Sequence, residues 1–596
     1  MSRFPRPPLF GRDTAQASPS EVGVFVPVEE VFPGTEANER TLIEVLSTLS
    51  RDDTLFHAAR INTLISGPGD YDIKPRQQAA LSWLCTTAQI DRINDFARRH
   101  KTSGVPAVFF RGQLLELMRW AARYCKNLPG DGTTFDDPAF RERLVKAALI
   151  AGTLWGARTF RDKLSADGDI AELRLRALGA MRKGVEEGNL APHIGVAIGR
   201  GLKLFTDYVP RHYPDFAGAF LRATGLTLQQ YLGCATSLSI YTMQHRQEGP
   251  MFVTQTIAAA TTYRDIFPKF FTLESQTPEE LATTFWSNFD TAGYRTLRER
   301  PIMLAADGRG MILDPTFFIE RVSIGALFHV AKGKGKAETL KVFTAFGDAF
   351  EEYANDILKR MYPHRPGLVD RVACGLEGSD GHGKAFQIDA ALIDMPQAVV
   401  FEMKAAFLRE EAIVDDRPES LIKEIRSKYG AASEKGERGK GVAQLARSIG
   451  AIVRGEWVGA NAEFTDTAVI YPALVVHDTR LDAPALGHFL ENDFRSLLGT
   501  VPAGKRVAPL TVMTIQDLEN LERSVESFSF VNLLEDYSRE CPDRMRSLHN
   551  YLAFSDYSKK IMPSDFLIDA SMGILELLQR ELFPAATPEP PGRKSA

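Results

Sequence analysis

The segment FQIDAALIDMPQAVVFEMKAAF, residues 386–407, places charged residues inside two stretches that otherwise have the composition of buried strands. Asp389, Glu402 and Lys404 stand among Ile, Val, Leu and Phe. Burying a charge is costly unless the charge is paired or binds a metal ion. The three side chains are therefore expected either at exposed strand ends or in one shared site, and the rest of the sequence helps to distinguish these interpretations.

Length and composition set the frame for that choice. The chain has 596 residues, which is too long for one hydrophobic core, because single cores stop growing at about 250–300 residues. With 44% hydrophobic and 25% charged residues, the composition is typical of a globular protein and excludes disorder for most of the chain. The net charge of −5 gives no attraction of the whole protein to polyanions, so a nucleic-acid surface would have to be local.

Cysteine spacing and hydropathy predict the compartment. The cysteines are Cys85, Cys125, Cys234, Cys374 and Cys541, and none belongs to a short CxxC spacing. A zinc site or a disulfide framework is therefore not expected. The opening residues lack an apolar core of the signal-peptide type, and no uninterrupted apolar run approaches the ~20 residues that a bilayer span requires. These features predict a cytoplasmic protein without a membrane partner.

The pattern along the chain predicts a multidomain protein, with a mostly α-helical N-terminal region followed by an α/β domain whose sheet has helices on its faces. Apolar residues recur at helical spacing in residues 111–125 and 144–160. The predicted divisions are a flexible arm (1–36), a helical domain (37–290), a β-hairpin and helix connector (291–338), the α/β domain (339–530), C-terminal helices (531–583) and a disordered tail (584–596).

The charged residues of the opening segment are expected to meet. Side chains alternate between the two faces of a strand, so Glu402 and Lys404 share a face. Asp389 lies on the strand before the turn DMPQ, within reach of Glu402. Two carboxylates suit Mg²⁺, with Mn²⁺ as a substitute, and an adjacent lysine can orient water and offset charge on a phosphate. The alternative interpretation is a cross-strand salt bridge at an exposed sheet edge.

The pattern D-x12-E-x-K, with a hairpin between its parts and a helix before it, resembles the PD-(D/E)XK phosphodiesterase superfamily, whose fold is called restriction-endonuclease-like. The resemblance covers the C-terminal half only, and Ile388 replaces the proline of the literal motif. It implies a three-layer α/β domain with a central mixed sheet flanked by helices, and Mg²⁺-dependent hydrolysis of phosphodiesters. It also implies that Asp389, Glu402 and the backbone carbonyl of Met403 bind the metal, and that Lys404 positions the attacking water.

Two further residues follow from the resemblance. Members of the superfamily often carry a glutamate on the helix before the hairpin, and a helical projection places Glu351 at the margin of the apolar face. Glu351 is therefore expected in the catalytic and metal-binding set, with the outward-facing Glu352 in reserve. Members also use a helical glutamine, which Gln444 would supply, although Ser448 stands where a QxxxY pattern would have tyrosine. An ordinary flanking carboxylate and an ordinary helical glutamine are the alternatives.

A basic segment follows the E-x-K strand. Residues 421–454 contain eight basic and three acidic residues, and non-specific affinity for nucleic acid is mostly electrostatic. The residues expected to contact a nucleic-acid backbone are Lys423, Arg426, Lys428, Lys435, Arg438, Lys440 and Arg447. The alternative is a solvated loop.

The sequence therefore predicts a metal-dependent nuclease that acts on DNA rather than RNA, in bacterial antiviral defence or in repair. The alternative is a non-catalytic nucleic-acid-binding or scaffold protein with a nuclease-like module. The N-terminal helical region would then recognise the substrate, bind a protein partner or form a homo-oligomer.

Overall fold

A computed structural model describes most of the chain. The described residues are 25–65, 73–100, 108–127, 137–159, 178–179, 181–182, 184–185, 194–244, 252–254, 264–287, 294–379, 385–415, 418–430, 440–459 and 464–582. Among them, no helix combines the length and the hydropathy that a membrane span requires.

The helices are numbered in chain order. They are α1 Val28–Val31, α2 Glu39–Leu46, α3 Arg51–Ile65, α4 Ile73–Leu84, α5 Thr87–Arg99, α6 Arg111–Tyr124, α7 Pro138–Thr159, α8 Ile194–Lys203, α9 Val209–His212, α10 Phe216–Thr224, α11 Leu228–Gln244, α12 Phe267–Glu274, α13 Pro278–Ser287, α14 Arg295–Glu299, α15 Pro315–Ala331, α16 Lys336–Met361, α17 Glu410–Val414, α18 Pro418–Tyr429, α19 Val442–Val453, α20 Leu486–Leu498, α21 Ile515–Ser524, α22 Phe530–Glu540, α23 Leu548–Phe554 and α24 Asp565–Leu582. A π-helical turn, Leu204–Tyr208, joins α8 to α9, and 3₁₀ turns occur at Thr479–Asp482 and Asp556–Lys560.

The strands are short except in the C-terminal half. They are β1 Phe252–Val253, β2 Ser275–Gln276, β3 Ile302–Leu304, β4 Arg309–Ile312, β5 Val372–Ser379, β6 Ala385–Asp394, β7 Gln397–Lys404, β8 Val458–Gly459, β9 Val469–Val476, β10 Arg506–Val507 and β11 Thr511–Thr514.

Two compact units divide the chain. One unit comprises Met1–Glu172 and His549–Ile561, and the other comprises Leu173–Leu548 and Met562–Ala596. In the first unit, α6 packs against both α3 and α7. The second unit contains both β-sheets. The helical domain predicted for residues 37–290 is thus divided between the two units, at a boundary that the helical periodicity of the sequence does not mark.

The arm predicted for residues 1–36 includes a folded segment. Its last part forms α1, and Val28, Val31 and Phe32 are buried. Apolar residues three and four positions apart lie on one face of a helix, so this short segment has a face to bury. Residues 1–24, like the tail predicted for 584–596, lie outside the described residues.

The connector predicted for residues 291–338 belongs to a folded layer. β3 and β4 form the predicted hairpin, with Gly308 at φ +83° in the turn. Asp314 caps the N-terminus of α15, since its side chain accepts the backbone N–H of Phe317 at 2.7 Å. The hairpin lies in a four-stranded sheet of order β1-β4-β3-β2.

The larger sheet is the centre of the C-terminal half. Its order is β10-β9-β7-β6-β5-β8, and β11 also pairs with β9. β5, β6 and β7 form an antiparallel meander, whereas β9 runs parallel to β7. The sheet is therefore mixed, as predicted, and α16 precedes the meander directly in the chain.

β5 was not predicted from the sequence. The segment VACGLEGS contains two glycines and a glutamate and lacks the alternation of apolar and polar residues that marks a strand. Gly375 adopts φ +59°, a conformation that favours glycine. Pairing with β6 along its length holds the segment extended.

Helices cover both faces of the larger sheet. On one face, Val400 and Leu474 belong to a buried cluster that includes Ile449 of α19 and Phe494 of α20. On the other face, the ring of Phe401 stacks on Phe530 of α22, with centroids 6.1 Å apart, and α16 contacts β7. These two layers of helices bury the apolar side chains of β7 and leave its C-terminal end for the charged residues.

Candidate active site

The structure brings the three charged residues of the opening segment together at the C-terminal end of β7. Lys404 Nζ lies 2.5 Å from Glu402 Oε1 and 3.9 Å from Asp389 Oδ2. Glu402 and Asp389 are only 1% and 5% exposed. The arrangement is therefore a buried cluster in which two carboxylates share one ammonium group, and not a salt bridge at an exposed sheet edge.

A gap between β6 and β7 accommodates the cluster. The pairing of these strands runs from Asp394–Gln397 to Ala390–Phe401 and ends there. β7 continues to pair with β9 as far as Lys404. Beyond Phe401, the N–H of Met403 donates to Asp389 Oδ2 at 2.7 Å. A side-chain carboxylate thus replaces a neighbouring backbone carbonyl at the point where the strands separate.

The backbone of Met403 faces the same gap. The carbonyl of Lys404 accepts the N–H of His477, which follows β9, at 3.1 Å. Successive carbonyl groups of a strand point to opposite edges, and the N–H and carbonyl of one residue point to the same edge. The carbonyl of Met403 therefore faces the gap on the side of Asp389.

Burial dominates the electrostatics of the cluster. Burial raises the pKa of Glu402 to about 8, and the nearby Asp389 carboxylate adds to this effect against the opposing ammonium of Lys404. Burial also raises the pKa of Asp389. Burial alone would lower the pKa of Lys404, but the Glu402 and Asp389 carboxylates outweigh it and raise that pKa. One lysine does not compensate the acidic groups around it.

Glu351 adds a further acidic group to this region. It lies half-buried on α16, where burial and the Asp389 carboxylate raise its pKa to about 7, while Lys404 opposes the shift. Glu352, the reserve candidate, points elsewhere, since its carboxylate accepts from Arg211 and from His212 Nε2. The charges of Asp389 and Lys404 therefore act on Glu351.

Gln444 has a local structural partner. Its Oε1 accepts the backbone N–H of Gly441 at 3.2 Å, which caps the first turn of α19. A glutamine at the third helical position often makes this contact. The predicted catalytic role of Gln444 therefore competes with a capping role that the structure shows directly.

A hydrogen-bonded loop follows Lys404. Arg480 donates to the carbonyl of Leu408 at 3.2 Å and to Asp478 Oδ2 at 2.7 Å. The hydroxyl of Tyr429 donates to the carbonyl of Ala406. These contacts fix the chain immediately after Lys404, and no pattern in the sequence connects them with that residue.

The residues of the predicted basic surface differ in exposure and in ion pairing. Lys423, Lys440 and Arg447 are exposed and Lys428 is half-buried. Arg426 forms a two-point ion pair with Asp493, at 2.7 and 2.9 Å. Lys435 and Arg438 lie outside the described residues.

Two basic residues that the sequence did not single out lie beside α16. Arg211 and His212, at the end of α9, pair with Glu352, the residue after Glu351. Nothing in the local pattern could have revealed them, because the pairs connect residues about 140 positions apart.

The donor set fits a hard divalent cation. Asp389 and Glu402 supply carboxylate oxygens, the Met403 carbonyl faces them, and Glu402 Oε1 accepts no hydrogen bond from the described groups beyond its contact with the lysine. Oxygen ligands of this kind are those that Mg²⁺ and Mn²⁺ prefer. Within the described ranges, no group of three or more His, Cys, Asp or Glu side chains is arranged to hold a metal ion. The fit thus depends on two carboxylates and a backbone carbonyl.

Comparison with known proteins does not identify a relative. No protein-family model, no curated protein and no solved structure matches the chain.

Proposed function

We propose that the protein is a metal-dependent nuclease that hydrolyses phosphodiester bonds of nucleic acid. The observation that carries this proposal is the buried meeting of Asp389, Glu402 and Lys404 at the point where β6 and β7 separate. Buried charges that are not compensated are costly, and they persist where a ligand or a reaction uses them.

The chain topology supports the same proposal. Helix α16, the meander β5-β6-β7, the helices that follow it and the parallel strand β9 occur in this order. The resemblance to the PD-(D/E)XK superfamily implies a central mixed sheet, with the aspartate before or in one strand and E-x-K on the next. The positions of Asp389, Glu402 and Lys404 agree with that expectation.

The residues of the cluster would divide the chemistry between them. Asp389, Glu402 and the Met403 carbonyl would hold Mg²⁺, which, when bound, supplies positive charge to the phosphate that is attacked. Lys404 positions the attacking water and offsets charge that develops on the phosphate oxygens. Glu351 lies where it can accept a proton or extend the cation-binding set. Water attack on phosphorus would break the P–O3′ bond and leave a 5′-phosphate and a 3′-hydroxyl.

The substrate is proposed to be DNA rather than RNA. Three basic residues are exposed here: Lys423 on α18, Lys440 just before α19 and Arg447 on α19. Such residues contribute affinity for any phosphate backbone. Bacterial antiviral defence or DNA repair would use an activity of this class.

Cleavage of a mixed panel tests the proposal. Single- and double-stranded DNA and RNA are incubated with the full chain in Mg²⁺, in Mn²⁺ and in EDTA. Wild type should cleave at least one substrate in a metal-dependent manner, and Asp389→Ala and Lys404→Ala should not. Arg222→Ala, which removes an exposed partner of Asp215, is the matched control. Equal activity in wild type, Asp389→Ala and Lys404→Ala would reject the proposal.

A further inference from the structure

We propose that Arg211 and His212 form a phosphate-binding site that holds the nucleic-acid backbone beside the active site. This inference rests on the proposed nuclease function and deepens it, because it assigns part of substrate binding to the helical segment 194–212. Both residues belong to the same compact unit as the acidic cluster.

The position of the two cations follows from their shared partner. Arg211 Nη1 donates to Glu352 Oε1, and His212 Nε2 lies 3.3 Å from Glu352 Oε2. Glu352 follows Glu351 directly on α16, and a protonated His212 lowers the pKa of Glu351. Arg211 and His212 therefore lie beside α16, next to the residue whose pKa the Asp389 and Lys404 charges shift.

Three contacts fix α9 along α16. The hydroxyl of Tyr208 donates to Asp356 Oδ2 at 3.1 Å, and the hydroxyl of Tyr213 donates to Glu338 Oε1 at 2.7 Å. The pairing with Glu352 lies between these two points. These contacts hold the segment that carries Arg211 and His212 in place, so less conformational entropy is lost when a ligand binds.

The backbone before α9 has an uncommon form. Leu204–Tyr208 is π-helical, and the N–H of Val209 donates to the carbonyl of Leu204. Pro210 follows, and proline lacks an N–H and clashes with the carbonyl four residues before it. The wider turn accommodates Pro210 and lets the helix continue to Arg211 and His212. Such π-turns are rare and occur often at functional sites.

The chemistry of the pair suits a phosphate. The Arg211 side chain is 50% exposed, and its guanidinium lies 4.9 Å from the centre of the Tyr208 ring. A guanidinium presents several N–H donors in a planar fork that matches phosphate oxygens. Glu352 occupies these donors in the structure, so a backbone phosphate would take the place of its carboxylate.

Opposite effects of two substitutions test this exchange. Binding of a fluorescent DNA duplex to the full chain is measured by anisotropy in a Lys404→Ala background, which keeps the substrate intact. Arg211→Ala should weaken binding about tenfold and lower the slope of log affinity against log salt by about one. Arg211→Lys should retain part of the affinity. Glu352→Gln should increase the affinity for DNA, because it removes the carboxylate that pairs with Arg211 and His212.

The controls separate this inference from the proposed function. Arg222→Ala removes an arginine from a similar exposed ion pair on α10 and should leave affinity and salt slope unchanged. If wild type cleaves DNA but Arg211→Ala binds as tightly as Arg222→Ala, the phosphate site is rejected and the nuclease assignment stands. Weaker binding by Glu352→Gln would also reject it, since that result indicates a structural ion pair. A wild type that neither binds nor cleaves nucleic acid overturns both proposals.

Discussion

Two buried glutamates in the same compact unit, Glu274 and Glu402, differ in how their negative charge is compensated. Glu274 is 0% exposed and Glu402 is 1% exposed. The carboxylate of Glu274 accepts from the Tyr231 hydroxyl at 3.0 Å and from Arg321 Nε at 2.9 Å, and it lies 2.5 Å from His329 Nε2. Glu402 has Lys404 as its cationic partner, and Lys404 is shared with Asp389.

Their pKa values move in opposite directions. Burial raises the pKa of both groups, but at Glu274 the charge of Arg321 and the contact with His329 outweigh burial, so the pKa falls below its ordinary value. At Glu402, burial and the Asp389 carboxylate outweigh Lys404, and the pKa rises to about 8. A buried carboxylate such as Glu274, whose charge is compensated by its neighbours, contributes to the fold. A buried carboxylate such as Glu402, whose charge is not fully compensated, favours the binding of an additional positive charge.

The largest difference between the two glutamates should appear in activity. Glu402→Gln removes a proposed metal ligand without changing the size of the side chain, and we expect Mg²⁺-dependent kcat to fall on the order of a thousandfold. Glu274→Gln should lose activity only in proportion to its unfolded fraction. The kcat of each variant is divided by its folded fraction, measured by circular dichroism, before the two variants are compared. A Glu402→Gln protein with wild-type kcat would contradict it.

Stability should show the reverse order. Glu274→Ala leaves Arg321 and His329 buried without their anion, and breaking a buried ion pair in this way costs about 3–5 kcal/mol. Glu402→Gln relieves repulsion with Asp389 and should not lower the free energy of unfolding at pH 8 without metal. Urea unfolding in EDTA measures both. Equal destabilisation by the two variants would remove the distinction between framework and site.

The pH dependence of stability should separate Glu402→Gln from wild type. Because the folded pKa of Glu402 is about 8 and its ordinary value is 4.5, the folded state binds more protons than the unfolded state between these pH values. Its contribution is therefore fully present below pH 4.5 and is lost as pH rises through 8. In EDTA, wild type should lose on the order of a few kcal/mol over this range. Glu402→Gln should show a shallower decline, and excess Mg²⁺ should restore more stability at pH 8 than at pH 5.

Glu351 should have a smaller effect on activity than Glu402. The charges of Asp389 and Lys404 affect the pKa of Glu351, but among the described residues Glu351 forms no ion pair with Lys404. We expect Glu351→Gln to lower kcat about tenfold and to raise the Mg²⁺ concentration at half-maximal activity, since acid–base groups contribute about 10²-fold or more when they act directly. Glu299→Gln, at an exposed carboxylate that pairs with Arg295, is the control. An unchanged metal dependence would place Glu351 outside the site.

Gln444 should give the smallest effect. Its contact with the N–H of Gly441 predicts that Gln444→Ala lowers the free energy of unfolding by about 1 kcal/mol. Denaturant titration measures this loss, and steady-state kinetics on the same samples tests the predicted catalytic role. A fall in kcat larger than the loss of folded protein explains would support the predicted catalytic role of Gln444.

The parts of the site that the sequence predicted share a physical basis. The hairpin of β6 and β7 was predicted because apolar runs flank a proline-containing turn, and Glu351 because a helical projection fixes which residues lie at the margin of an apolar face. Strand alternation placed Glu402 and Lys404 together. Each of these rules acts over a few residues, so one sequence is sufficient.

The parts that were missed depend on contacts between distant residues or on competing local bonds. β5 has no strand pattern of its own and is held by β6. Arg211 and His212 reach Glu352 across the chain. Gln444 could serve a cap or a reaction, and the sequence does not decide between them. The boundary of the compact units at Glu172 and Leu173 likewise depends on packing and not on periodicity.

Anomalous diffraction from a crystal soaked in Mn²⁺ shows whether the buried cluster of Asp389, Glu402 and Lys404 binds a divalent cation. We expect one strong peak in the gap between β6 and β7, coordinated by carboxylate oxygens of Asp389 and Glu402 and by the carbonyl oxygen of Met403, at about 2.0–2.2 Å. The peak should vanish in Asp389→Ala crystals. No peak in this gap at saturating Mn²⁺, or a peak bound to neither carboxylate, would reject the proposed metal site.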